Sequence, residues 1–134
     1  MIRYRDGYAY QLVESCQIEI PVYPEEDIIT EWLLLNRAGL LSIMRGYAWD
    51  GPSGPMPDFP EAMRGSLVHD ALYQLIRVGS LAASHRDTAD ILLRAICIED
   101  GMSRQLAELM YQSVHIFGKP FADPANDKPV LEAP

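Results

Sequence analysis

Cysteine is scarce in this chain: Cys16 and Cys97 are the two among 134 residues. No Cys-x-x-Cys pair exists, which excludes a zinc ribbon and a disulfide-stapled scaffold. Both thiols are expected to be reduced and buried, one bridge between them being the alternative that the count leaves open. Positive charge is also short. Eleven Lys and Arg stand against 19 Asp and Glu, for a net charge of −8. That balance speaks against nucleic acid, whose phosphates are neutralised by clustered Lys and Arg. It suits a basic partner or a cation such as calcium. No stretch reaches the ~18 apolar residues of a membrane span. The opening "MIRYRDGYAY" has no apolar core of a signal peptide, so a cytoplasmic location is expected. Internal repeats are absent.

Apolar residues are plentiful, at 49%. With this length they predict one domain with a genuine core. The expected fold class is α+β. A small N-terminal antiparallel β-sheet is followed by a three-helix unit and an extended C-terminal tail. Residues 1–118 form the domain, strand-rich over 1–49 and helical over 60–118, and 119–134 form the tail.

"YAYQLVES" and "CQIEIPVY" alternate roughly as strands do, and Pro21 and Pro24 close the second. Residues 31–36 and 40–49 read as a hairpin around Arg37-Ala38-Gly39. "PEEDIITEW" is open to a second reading as a short helix from Glu25. Pro60 opens a helix that Gly79 closes. Its apolar face is Met63, Leu67, Ala71, Leu72, Leu75 and Val78. Ser84-x-x-Asp87 has capping-box spacing for a second helix that runs to about Asp100 and that Gly101 ends. Ser103 caps a third, with Leu106, Leu109, Met110, Val114 and Phe117 on its core face. Gly118 and Pro120 stop it. Beyond Lys119, prolines and few large apolar side chains predict an extended tail that docks on a neighbour.

The candidate chemistry sits between Trp49 and Asp90. His69 and Asp70 are adjacent on the first helix and point about 100° apart. Tyr73 follows one turn after His69. In the apolar run "ADILLRAICI" the one acid is Asp90. If the two helices pack antiparallel, Asp90 can face His69. A carboxylate on one ring nitrogen fixes the tautomer and leaves the other as a base. The loop before the helix holds Gly51, Pro52, Gly54, Pro55 and Pro57. Such a loop can converge carbonyl oxygens, which calcium prefers. Asp50, Gly51 and Asp70 are the candidate metal ligands, and Asp58 is a further one.

Plainer readings accompany each residue. His69 can bond a backbone group at a helix contact. Asp90 can form an ion-pair stripe with Arg86 and Arg94 on a wet face. Tyr73 can be a core aromatic, and Asp50-Gly51 a turn. His85 and His115 read as surface residues that no metal-ligand spacing links. A phosphohydrolase built on a His-Asp doublet is excluded, because no histidine precedes residue 69.

From Arg45 to Gly118 the chain resembles a family of small phage and prophage proteins of unknown function. The resemblance rests on Trp49-Asp50-Gly51-Pro52-Ser53, Arg64, Leu67-Val68-His69-Asp70, Leu72-Tyr73, Arg86, Ala89-Asp90, Tyr111 and Phe117-Gly118. It implies phage origin, in the host cytoplasm or the virion, and other phage proteins as partners. More distantly, "DGPSGPMPDFPEAM…HDALY" resembles small bacterial and fungal phospholipases A2. That resemblance implies a lipid ester substrate, His69 as the base activating water, and Asp90 as its orienting partner. It also implies Ca2+ on Asp50 and Asp70. The departures are Pro52 at the loop cysteine of those enzymes, their disulfides, and the strand-rich half that they lack. Two functions are therefore expected in competition. One is a calcium-dependent ester hydrolase with a His69–Asp90 dyad. The other is a non-enzymatic phage virion or accessory protein using the same helices as scaffold. No patch for docking on a lipid surface is legible.

Overall fold

The computed structural model describes residues 2–5, 10–52 and 59–123. Clustering of the backbone separates two compact units, one from Met1–Asp50 and one from Gly51–Lys128. The architecture is α+β, strands first and helices after.

Among the described residues the first unit holds seven short strands: β1 (Tyr4–Arg5), β2 (Tyr10–Leu12), β3 (Cys16–Glu19), β4 (Ile28–Ile29), β5 (Leu33–Leu35), β6 (Leu40–Ile43) and β7 (Ala48–Trp49). They form two antiparallel sheets, in the orders β1-β2-β7 and β3-β6-β5-β4. The expected hairpin is the centre of the second sheet, with Leu35 opposite Leu41 and Leu33 opposite Ile43. These four side chains are fully buried. On the same strand, Ser42 takes a hydrogen bond from the Gln17 amide at 3.2 Å. This is the period-2 alternation that divides an apolar face from a polar one.

The hairpin turn is shaped by Asn36, whose Oδ1 accepts from the backbone N–H groups of Ala38 and Leu40. Gly39 follows at φ +85°, and a Cβ there would lie 2.4 Å from the Ile20 carbonyl oxygen. Only glycine fits that combination.

Two expectations need correction in this unit. The strand expected over 40–49 breaks after Ile43, because the chain turns at Met44–Tyr47 with Gly46 at φ +95°. The final piece, β7, pairs with β2 instead. The helical alternative at Glu25 is not adopted, since Ile28–Ile29 pair with Leu34 and Leu35 as an edge strand.

The second unit holds α1 (Pro60–Arg77), α2 (Arg86–Glu99), α3 (Arg104–Phe117) and α4 (Lys119–Ala122). Pro60 stands at the first turn of α1, and Gly79 and Gly101 follow the ends of α1 and α2, as expected. Ser103 caps α3 by accepting from the Leu106 N–H. The Ser84 capping box does not form. The chain enters α2 through a 3₁₀ turn over Ala83–His85, so Ser84 is already within a helical turn and no side chain caps α2. Where extended chain was expected after Gly118, Lys119–Ala122 make one further helical turn. The tail from 124 onward lies outside the described residues.

Helix α1 is buried on nearly every side, polar positions Ser66 and His69 included. Val78, expected in the core, is exposed at its end. Ala62 of α1 joins a buried cluster with Leu93, Cys97, Met102, Ala107, Met110 and Val114. The closest approach is at Gly65, where an added Cβ would lie 2.8 Å from the Cys97 sulfur and 3.2 Å from the Leu93 carbonyl oxygen. Burial pushes the Cys97 thiol up to about 11, which marks it as a space-filling neutral group.

Gly65→Ala tests this contact. Helix propensity gains about 1 kcal/mol, but overpacking costs about 1–3 kcal/mol, so the variant should be less stable. In a Cys97→Ala background the same substitution should cost measurably less. Urea unfolding of the four proteins gives the coupling, and simple additivity would refute a Gly65–Cys97 contact.

Candidate functional site

Helices α1 and α2 run antiparallel, as contacts along their length require. At one end Arg64 donates to both oxygens of Asp100, at 3.0 and 2.9 Å. Gly65 then meets Leu93 and Cys97. Further along α1, two residues a single turn apart reach one acid on α2. His69 Nε2 lies 2.8 Å from Asp90 Oδ1, and the Tyr73 hydroxyl donates to the same oxygen at 2.6 Å. The antiparallel expectation thus brings His69, Tyr73 and Asp90 together. Their rings also touch, with centroids of His69 and Tyr73 4.1 Å apart.

The group is internal. His69 is 4% exposed and Asp90 0%. The wet-face reading of Asp90 is therefore overturned, and the Arg86–Asp90–Arg94 stripe does not form. Arg94 instead pairs with Glu108 at 2.8 Å and covers the Tyr111 ring. Arg86 donates to the Tyr73 hydroxyl at 3.2 Å and to the carbonyl oxygens of Val114 and His115 at 3.1 and 2.6 Å. It joins the buried cluster to the last turn of α3, where the Val114 carbonyl also accepts from the Gly118 N–H at 2.7 Å. Gly118 closes over Tyr73, since a Cβ there would lie 2.7 Å from the hydroxyl oxygen.

Electrostatics follow from this enclosure. Burial pulls the His69 imidazole toward its neutral form. Contact with Asp70 and Asp90 more than offsets that and leaves its pKa above the ordinary value. Burial likewise opposes the Asp90 charge, but donation from His69 and Tyr73 brings its pKa below the ordinary carboxylate value. Burial, reinforced by Asp90, pushes the Tyr73 phenol well above its usual range, so it remains a donor. A carboxylate on Nε2–H leaves Nδ1 as the basic nitrogen once the ring is neutral. Nδ1 faces Asp70, whose Oδ1 is 3.6 Å away.

The candidate metal ligands are Asp50, Gly51 and Asp70. Asp70 borders the imidazole. Gly51 is buried with φ +80° at the start of the second unit, and Asp50 is exposed at the end of the first. Asp58 and the rest of the 53–58 loop lie outside the described residues. Among the described residues no three His, Cys, Asp or Glu side chains converge to hold an ion.

Sequence reasoning missed two participants. Arg86 was legible as a neighbour of Asp90 one turn away, but its reach to Tyr73 and α3 was not. His115 was assigned to the surface. Its ring is 44% exposed, yet Nδ1 lies 3.5 Å from both Asp87 Oδ1 and Asp90 Oδ2. The core face expected for α3 also needs correction. Met110 and Val114 are buried, but Leu109 and Phe117 are 59% and 70% exposed. The buried stripe passes through Ala107 instead, because that small residue faces the α2 cluster. Leu109, Ile116 and Phe117 are left as an apolar outer surface.

Comparison with known proteins finds no match: no family model, no curated protein and no solved structure corresponds to this chain.

The buried pair makes stability depend on pH with a defined sign. The raised His69 pKa contributes stability that is complete below the ordinary 6.5 and lost as pH rises through the folded value. The lowered Asp90 pKa contributes stability complete above the ordinary 3.8 and lost as pH falls through the folded value. The wild type should therefore exceed Asp90→Asn most between about pH 4 and 6.5, by roughly 3–5 kcal/mol. Denaturant unfolding of both proteins across pH checks this. A gap that does not change with pH would show that the pair is not ionic.

Proposed function

We propose that the protein hydrolyses lipid esters, with His69 as general base and Asp90 as its orienting partner. One observation carries this reading: a carboxylate with no exposed surface lies 2.8 Å from Nε2 of a nearly buried histidine on a neighbouring helix. Asp90 accepts the Nε2 proton and holds the ring. Nδ1, on the Asp70 side, takes a proton from water as the water oxygen bonds to the ester carbonyl carbon. Collapse of the tetrahedral species breaks the ester C–O bond, and the Nδ1 proton passes to the leaving alkoxide. Tyr73 fixes Asp90 from below the ring and carries no proton in the reaction. No step is routed through a cation.

Fatty acid released from phosphatidylcholine vesicles tests the proposal. His69→Ala should lower the rate by about 10²–10⁴, Asp90→Asn by less, and Tyr73→Phe least. Circular dichroism should show each variant folded. Equal rates in wild type and His69→Ala would end the proposal. The assay is run with calcium and with a chelator. If the loop completes a shell around Asp70, calcium raises both activity and melting temperature, and Asp70→Ala abolishes the effect.

A second reading has an observation of its own. Leu109, Ile116 and Phe117 are exposed on α3, beside Gln105, Gln112 and Ser113 on the same side of the helix. An outward surface that is apolar and uncharged suits a non-enzymatic part of a phage particle. On this reading, the chain copurifies with particles, Phe117→Asp releases it, and His69→Ala does not.

A further inference from the structure

Asp90 has two oxygens, and the site described so far uses one. Oδ1 takes both His69 and Tyr73. Oδ2 is buried and receives no hydrogen bond from any described residue. A buried carboxylate oxygen in that condition is costly, and its surroundings should show what offsets the cost. The side chain beside it is His115, with Nδ1 at 3.5 Å.

Several contacts hold that imidazole in place. Its ring stacks on Tyr111, with centroids 5.4 Å apart and planes 17° from parallel. Asp87 Oδ1 lies 3.5 Å from the same Nδ1. Arg86 binds the His115 carbonyl oxygen and the Tyr73 hydroxyl. One guanidinium therefore ties the backbone of His115 to the far side of the Asp90 cluster. The ring is half in solvent and half against the carboxylate, so it stands between Oδ2 and water.

We infer that His115 is a positioning residue for the buried pair: it covers Asp90 Oδ2 and keeps the carboxylate turned so that Oδ1 faces His69. Without it, water reaches Oδ2 and competes for the carboxylate, which is then free to rotate. As a role in hydrolysis, this rests on the reading above. As a property of the buried pair, it does not.

The test is the His69 Nε2–H proton, observed in protein labelled with ¹⁵N-histidine. Its exchange with water should be roughly tenfold faster in His115→Ala than in wild type. His115→Gln, which restores an N–H donor, should bring the rate back to near the wild-type value. Unchanged exchange in His115→Ala, or identical behaviour of the Ala and Gln variants, would overturn the inference. In the vesicle assay His115→Ala should lower kcat with KM unchanged. If the wild type releases no fatty acid but the exchange rates follow this order, the hydrolase reading fails and the role of His115 stands.

Discussion

A carboxylate without exposed surface keeps its charge only where donors meet it. At Asp90 those donors come from α1, and Arg86 extends the network to the end of α3. Helices α1, α2 and α3 are thereby fixed around one anion. His69 and Tyr73 are a turn apart, so a single oxygen can hold both only when α2 crosses α1 at one axial position. Slippage of α2 by one turn would carry Asp90 past both donors. It would also part Arg64 from Asp100 and move Gly65 away from Cys97. The ion pair, the close contact and the buried cluster therefore specify the same register. Buried polar groups are best attested in that role, setting register while adding little net stability.

How much of this was legible follows from which interactions are local. Periodicity marked α1, and the glycines after its end and after α2 marked their limits. Asp90 stood out as an acid in an apolar run, and antiparallel packing was enough to pair it with His69. The hairpin was legible through its two apolar runs and the glycine-containing turn at Arg37-Ala38-Gly39. What stayed hidden is the consequence of packing. The 40–49 strand reads as continuous, and only the positive φ of Gly46 breaks it and sends Trp49 to a different sheet. Likewise α3 offers two apolar stripes. Sequence favoured the one with larger side chains, while the close approach to α2 selected the one containing Ala107. Leu109 and Phe117 were turned outward as a result, and with Ile116 these two residues assigned to the core make the patch that sequence did not reveal.

The reading of Asp90 as a wet ion-pair stripe failed for a related reason. Arginines one turn away on either side make a carboxylate look solvated. In the fold both guanidiniums reach elsewhere. Arg94 crosses to Glu108 and Tyr111, and Arg86 reaches the carbonyls that end α3. Long side chains choose partners across helices, and spacing along one helix does not constrain that choice. His115 is on the surface as expected, but its carboxylate neighbours Asp87 and Asp90 are on α2, and nothing in its own stretch of chain announces them.

The polar cluster serves folding and the proposed chemistry through different atoms. Oδ1 of Asp90, the Tyr73 hydroxyl and Nε2 of His69 are committed to one another, and their geometry is the same whether or not a reaction occurs. Nδ1 is the nitrogen that holding the helices together does not use, and Asp70 stands beside it. A purely structural histidine gains nothing from a second carboxylate at its other nitrogen beyond a stronger ion pair. A base gains an acid-lined approach for water. The difference between the two roles is therefore concentrated on the Asp70 side of the ring. The Asp90 side would look the same in a scaffold and in an enzyme.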